Sequence, residues 1–238
     1  MTPVGIPQSL AVLTGAGISA ESGVPTFRGE EGLWRNFRPE ELATLAAFRR
    51  DPALVWEWYE WRRGLIGGCQ PNAAHHTLVE MERAIPRFTL ITQNVDGLHR
   101  LAGNRRVVEL HGNIWQVRCT REGTVTEWRD HPLLKIPPRC KCGALLRPNV
   151  VWFGESLPPE ALQAAFDAAC SCQVMLVIGT SGVVEPAASL PRVAKQSGAW
   201  VIEINVETTP ISRYTDETIL GPAAIKSPRL WARWQGLS

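Results

Sequence analysis

Five short apolar runs with almost no polar interruption constrain this chain most: Leu10–Thr14, Phe88–Thr92, Val107–Leu110, Val174–Ile178 and Trp200–Ile204. A strand with one face in water alternates apolar and polar residues. Runs without that alternation require cover on both faces. Helical patterns lie between several of them, as at Pro159–Ala169 and Ala187–Ser197. Strands alternating with helices imply an α/β fold built on a doubly wound parallel sheet.

Two stretches break the alternation. Glu30–Pro86 holds helical patterns but no strand. One of its helices begins at Asp51-Pro52, an N-cap followed by proline at the first helical position. It runs to about Leu65 and stops at Gly67-Gly68. Cys119–Pro148 is rich in Pro, Arg and Cys and reads as an excursion from the sheet into a small, loop-rich module.

The first strand runs directly into Gly15-Ala16-Gly17-Ile18-Ser19-Ala20, the G-x-G-x-x-A variant of a dinucleotide fingerprint. Glycines there allow a tight turn and close approach of backbone to a pyrophosphate. No second strand ends in an acid about 20 residues later, which disfavours a plain Rossmann dehydrogenase. The other strand ends are unusually polar. Phe88–Thr92 leads into Gln93-Asn94-Val95-Asp96, and Val107–Leu110 into His111-Gly112-Asn113. Val174–Ile178 leads into Gly179-Thr180-Ser181, and Trp200–Ile204 into Asn205-Val206-Glu207. Ligands of open α/β sheets sit outside the carboxyl ends of the strands. Amides, hydroxyls and a carboxylate gathered there suit ribose hydroxyls and a carboxamide.

Composition removes other classes. The chain has 238 residues, 20% charged and 45% hydrophobic, with net charge +2. Disorder as the main state is excluded, and nothing marks a nucleic-acid surface. No run approaches the ~18 apolar residues that span a bilayer, and Met1–Leu10 lacks the pattern of a signal peptide. No nucleic-acid or membrane partner is expected, and a cytoplasmic location is. The six Cys then read as thiols or metal ligands. Cys119 with Cys140-Lys141-Cys142 suggests a structural zinc site, whereas Cys69, Cys170 and Cys172 read as structural.

Gly15-Ala16-Gly17-Ile18-Ser19, Pro25-Thr26-Phe27-Arg28, Thr92-Gln93-Asn94-Val95-Asp96-Gly97-Leu98-His99, Leu110-His111-Gly112 and Val151-Trp152-Phe153-Gly154-Glu155 resemble, in order, the motif series of the sirtuin family. The resemblance implies an NAD-dependent protein-lysine deacylase with a Rossmann-like large part, about 1–30, 86–113 and 150–238. A smaller part would come from two insertions, about 31–85 (helical) and 114–149 (Cys-containing). In the implied reaction the acyl-lysine carbonyl oxygen attacks the ribose carbon as nicotinamide leaves. A histidine, matched by His111, then acts as general base on a ribose hydroxyl. Asn94 and Asp96 match residues that bind the nicotinamide carboxamide and ribose, and are expected to be catalytic with His111. Gln93 matches a ribose ligand.

The same resemblance places Gly15, Ala16, Gly17, Ser19, Ala20 and Val95 against NAD, with Phe27, Arg28 and Trp34 in a loop that covers it. Gly179, Thr180, Ser181, Asn205, Val206 and Glu207 match the adenosine side, and Ala223 a late backbone contact near the adenine. Val151, Phe153, Gly154 and Glu155 would pair as an edge strand with the substrate peptide.

The Asp51 helix contains Tyr59 and Arg62, three apart and therefore on one face. This resembles the Tyr-x-x-Arg signature of class III sirtuins, which remove succinyl and malonyl groups. An Arg beside a phenol grips a carboxylate by charge-assisted hydrogen bonds. The family's metal site has four Cys opening with C-x-x-C. Here Glu122 stands at the second position, and the closing pair is compressed to C-x-C. Glu122, His131 or water would complete a zinc site with Cys119, Cys140 and Cys142. Asn149 departs from the His often found before this motif in class III. His75 and His76 read as packing or capping residues. Two other functions remain open on sequence: mono-ADP-ribosyl transfer from the same pocket, and a non-catalytic NAD-sensing or zinc-ribbon interaction module. Acylated lysines of proteins are the expected partners, and the sequence is silent on oligomeric state.

Overall fold

The computed structural model describes residues 5–25 and 42–237. The expectations for Phe27, Arg28 and Trp34 lie outside these residues. In chain order the strands are β1 (Ser9–Thr14), β2 (Arg87–Thr92), β3 (Val107–Glu109), β4 (Gly112–Cys119), β5 (Val125–Glu127), β6 (Leu146–Val150), β7 (Val174–Ile178), β8 (Trp200–Asn205) and β9 (Glu217–Leu220). The helices are α1 (Gly17–Ala20), α2 (Leu45–Arg50), α3 (Pro52–Gly67), α4 (Ala73–Ala84), α5 (Leu98–Ala102), α6 (Pro159–Ser171), α7 (Leu190–Gln196) and α8 (Ala223–Trp234).

The parallel sheet has the order β3-β2-β1-β7-β8-β9. Its interior strands are apolar on both faces because both are covered. Leu10, Val12, Leu90, Leu176 and Ile202 pack with α4 and α8, while Leu13, Ile91, Val177 and Val201 pack with α6 and α7. Chain order reverses at β1, between β2 and β7, which is where such sheets open a crevice. The register also levels the strand ends. Thr14 lies opposite Thr92 on one side and Ile178 on the other, and Ile178 opposite Ile204. The loops that follow therefore start from one line.

All five expected strands are present. β9 was not anticipated: it is a four-residue edge strand without a long apolar run. The expected helix at Ala187–Ser197 begins as a 3₁₀ turn, Ala187–Ser189, before α7.

The expected module, Cys119–Pro148, is mostly turns and loops, hung on an antiparallel sheet of order β5-β4-β6. Its core is shared with α3, where Trp56, Tyr59 and Ile66 pack with Ile114, Val117, Leu146 and Trp152. The Trp56 indole N–H also donates to the Leu146 carbonyl at 2.8 Å. Asp51 caps α3 by accepting the Leu54 N–H at 3.0 Å, with Pro52 in the first turn. No membrane-spanning length of apolar helix occurs among the described residues.

Val151–Glu155, expected to pair with the substrate peptide, makes, among the described residues, a single bridge within the chain. Phe153 makes one parallel bridge, with Thr44, and its N–H donates to the Ala43 carbonyl. The chain then turns, with the Glu155 N–H on the Trp152 carbonyl. The cause is side-chain chemistry: Glu155 accepts two bonds from Arg147, at 2.6 and 2.8 Å, and one from the Trp152 N–H at 2.9 Å. Glu155 is thus tied to Arg147 and to the Trp152 backbone within the protein.

Gly112 opens β4 at φ +79°, and a Cβ there would lie 2.1 Å from the Asn149 carbonyl oxygen. A Gly112→Ala variant should lose at least about 2 kcal/mol, since strain and a backbone clash combine. Denaturant unfolding measures this, and an unchanged midpoint would contradict the close approach.

Candidate active site

The loops after β1 and β7 interlock. Gly15 donates to the Ile178 carbonyl at 3.0 Å and Gly17 to the Gly179 carbonyl at 2.8 Å. A Cβ on Gly17 would come within 2.7 Å of Gly179 Cα, and one on Gly179 within 2.5 Å of the Ile18 nitrogen. The glycine loop is therefore shaped by its neighbouring strand end as well as by any ligand.

The β2 loop is tied into the same place. Asn94 Nδ2 donates to the Gly15 carbonyl at 3.0 Å and reaches Ser19 Oγ at 3.3 Å. Asp96 accepts the Ser19 hydroxyl and the Leu98 N–H, each at 2.8 Å. Burial nevertheless raises the Asp96 carboxyl above its ordinary pKa. Gln93 Nε2 donates to Thr180 Oγ1 at 2.9 Å, linking the β2 and β7 loops.

His111 lies between β3 and β4. Its Nδ1 is 3.0 Å from the Gln93 carbonyl. A carbonyl only accepts, so Nδ1 carries the hydrogen and Nε2 is the basic nitrogen. Burial lowers the pKa of the ring, against an opposing effect of the Gln93 bond.

On the far side, Asn205 Nδ2 donates to the Thr180 carbonyl at 2.9 Å, and Val206 and Glu207 are exposed. Ser181 is half-buried beside them. Ala223 is buried at the start of α8, whose next N–H, of Ala224, donates to Glu21 at 2.7 Å. The structure thus brings His111, Asn94, Asp96, Gln93 and the glycine loop to one cleft, with Thr180, Ser181 and Asn205 continuing it.

His75 does cap α4, receiving the Asn72 N–H at 3.3 Å, but it also reaches the site. Its Nε2 is 3.4 Å from Ser19 Oγ, and its ring is 4.9 Å from that of His99. His99 Nε2 is 3.0 Å from Thr14 Oγ1. Burial pushes His75 down to about 4 and His99 well below its ordinary value, so both are neutral behind the glycine loop. The sequence signal was the placement of His99 within the Asn94–His99 motif; His75 had none.

Tyr59 and Arg62 are both buried on one face of α3. The guanidinium lies 4.8 Å from the Trp58 ring centroid and 5.6 Å from that of Tyr59. Burial lowers the Arg62 pKa, opposed by Tyr59 and by Asp96. Arg62 thus stands within electrostatic reach of the β2 loop. Trp152 Nε1 donates to Tyr59 Oη at 2.9 Å, and Arg147 stacks on the same indole at 3.5 Å. Phe153, 55% exposed, is at the surface beyond it.

The donor atoms of Cys119, Glu122, Cys140 and Cys142 lie within 4.8 Å of one another. Cys119 Sγ is 3.5 Å from Cys142 Sγ, and Cys140 Sγ 3.8 Å from a Glu122 oxygen. Tetrahedral zinc with bonds of about 2.3 Å separates its sulfur ligands by about 3.8 Å, so the set fits. The Glu122 N–H on Cys119 Sγ helps hold that thiol below its ordinary pKa. His131, the other candidate ligand, instead contacts Glu60 on α3 at 3.2 Å. Protein purified without chelator should carry zinc by elemental analysis, and Cys142→Ser should lose it. Under chelator challenge Glu122→Ala should release it faster; retention equal to wild type would remove the carboxylate from the ligand set.

A model of the Sir2 family matches residues 15–186. An NAD-dependent protein deacylase of Aquifex aeolicus is 60% identical over 209 residues, 87% of each chain. NAD-dependent protein deacylase 2 of Pyrobaculum aerophilum is 57% identical over 220 residues, 92% of this chain and 88% of its own. A crystal structure of a Sir2 homologue in complex with NAD superposes with a TM-score of 0.91 at 48% identity, covering 98% of this chain and 91% of that one. The chain belongs to the Sir2, or sirtuin, family.

Proposed function

We propose that this protein is a class III sirtuin: an NAD-dependent protein-lysine deacylase that removes succinyl and malonyl groups, and acetyl groups as well. The observation that carries the reaction is His111, tied through Nδ1 to the Gln93 carbonyl and presenting Nε2 as a base beside the glycine loop. Relatives named NAD-dependent protein deacylase, and a similar fold holding NAD, support it.

In this reading the Gly15–Ala20 loop and Thr180, Ser181 and Asn205 hold the nucleotide, with Val95, Gly179, Val206, Glu207 and Ala223 around it. Asp96, protonation-prone through burial, and Asn94 engage the carboxamide and ribose at the bond that breaks. The acyl carbonyl oxygen bonds to the ribose carbon as nicotinamide leaves; His111 Nε2 then takes the ribose hydroxyl proton, the hydroxyl attacks the acyl carbon, the lysine amine leaves, and water adds to what remains to give 2′-O-acyl-ADP-ribose. Val151, Phe153 and Gly154 meet the peptide, with Glu155 holding their turn. Cys119, Cys140, Cys142 and Glu122 hold structural zinc, which would fix the small sheet and take no part in bond making.

The acyl preference rests on Tyr59 and Arg62. A buried guanidinium is costly to desolvate, and a carboxylate beside it offsets that cost. The distal carboxylate of a succinyl or malonyl chain has the charge and length to do so.

Wild type should favour a succinyl-lysine over an acetyl-lysine peptide by kcat/KM, and Arg62→Met should remove that preference, a loss of about tenfold or more. An unchanged preference would refute the acyl assignment. Mass spectrometry should find nicotinamide and 2′-O-acyl-ADP-ribose. ADP-ribose attached to protein would instead indicate transferase chemistry, and NAD binding without nicotinamide release a sensor.

The pH profile tests His111. Its pKa in the folded protein lies below the ordinary 6.5 because of burial, and only the neutral ring is a base. Activity is thus retained above that value and lost as pH falls through it. The acid limb of kcat/KM should have its midpoint below 6.5; a midpoint above 6.5 would contradict the assignment.

A further inference from the structure

Resting on the carboxylate reading of Tyr59 and Arg62, we propose that Trp152 is a positioning residue that makes the Tyr59 hydroxyl an obligate donor. The acyl site then selects a terminus that only accepts hydrogen bonds, a carboxylate over its neutral carboxamide isostere. The argument is one of hydrogen-bond inventory. An indole N–H donates and cannot accept. Trp152 Nε1 lies 2.9 Å from Tyr59 Oη, so the phenol oxygen is the acceptor of that bond. Arg62, which also only donates, stands beside the same side chain, its guanidinium 5.6 Å from the Tyr59 ring centroid. With the indole N–H occupying its acceptor side, the phenol turns its own hydrogen away from Trp152, and that hydrogen is what Tyr59 offers a ligand. Burial raises the Tyr59 pKa, which keeps that hydrogen in place.

The indole is fixed in turn. Arg147 stacks on it at 3.5 Å, grips Glu155 with two bonds, and donates to the Val150 carbonyl at 2.9 Å. Phe48 packs against the indole itself, with the ring centroids 5.3 Å apart. Trp152 and Tyr59 are each 2% exposed, so no solvent competes for the bond. A succinyl carboxylate meets two donors with acceptors. A succinamyl group brings an NH₂ toward those same donors and leaves it unsatisfied in a buried place.

The test uses the full chain with peptides bearing succinyl-, succinamyl- and acetyl-lysine. Folding of each variant is verified by thermal unfolding and ADP-ribose binding. Wild type should prefer succinyl over succinamyl by about a hundredfold in kcat/KM. Trp152→Phe keeps an aromatic ring but lacks the N–H; the phenol can then rotate to accept. That ratio should shrink about tenfold, chiefly through KM for the succinyl peptide. A purely structural role would lower all three substrates together and leave the ratio alone, overturning the proposal. Arg147→Lys, which loosens the indole without removing it, should shrink the ratio by a smaller factor and serves if Trp152→Phe does not fold; an unchanged ratio there overturns the proposal too. Wild type lacking any preference for succinyl over acetyl overturns the carboxylate reading and this proposal together. A succinyl preference over acetyl that coexists with an unshrunken ratio in Trp152→Phe overturns this proposal alone.

Discussion

The cleft depends on a backbone contact, the Gly17 N–H on the Gly179 carbonyl, made at the point where the sheet reverses its strand order. Loops after β1 and β7 can meet there only because neither carries a side chain at the contact. Once they meet, the rest of the edge is drawn in by side-chain amides. Gln93 crosses from β2 to Thr180, Asn94 holds the Gly15 carbonyl, and Asn205 holds the Thr180 carbonyl. These bonds lie among buried or half-buried groups, where an unmade partner costs more than the bond contributes. The edge is therefore preorganised before any ligand arrives.

Helix α3 works on two sides. Tyr59 and Arg62 face the β2 loop and Trp152. One residue further along each time, Glu60 and Arg63 face the small sheet. Arg63 pairs with Glu60 at 3.1 Å and reaches the Trp128 carbonyl, while Glu60 also receives the Leu133 N–H at 2.8 Å and contacts His131. A buried pair of this kind adds little net stability, but breaking it is costly, so it enforces one docking arrangement. The cysteine cluster lies in the sheet so docked. The cysteine cluster and the Tyr59–Arg62 face of α3 are thereby joined through one core.

Much of this was legible in the sequence because burial and backbone geometry leave local marks. Unbroken apolar runs such as Val174–Ile178 announced a doubly covered sheet, and Asp51-Pro52 with Gly67-Gly68 bracketed α3. The polar groups after each run announced the cleft. Other features were not legible because they arise from tertiary partners. β4 and β6 are strands only because they pair with each other and receive Trp56 from α3. The tie of Glu155 to Arg147 joins a motif residue to one outside it and left no local mark. His75 looked like a cap and is one, but its second contact, with Ser19, joins segments 56 residues apart. Glu122 replaced a cysteine in the motif, and only the fold placed its carboxylate, rather than His131, beside the three thiols.

The most direct test is a crystal structure with a non-cleavable NAD analogue and a succinyl-lysine peptide bound together. The account predicts a ribose hydroxyl within hydrogen-bond distance of His111 Nε2, with the succinyl carboxylate between Tyr59 Oη and the Arg62 guanidinium. An imidazole turned from the ribose, or an acyl terminus left in solvent with Arg62 still facing Asp96, would contradict it.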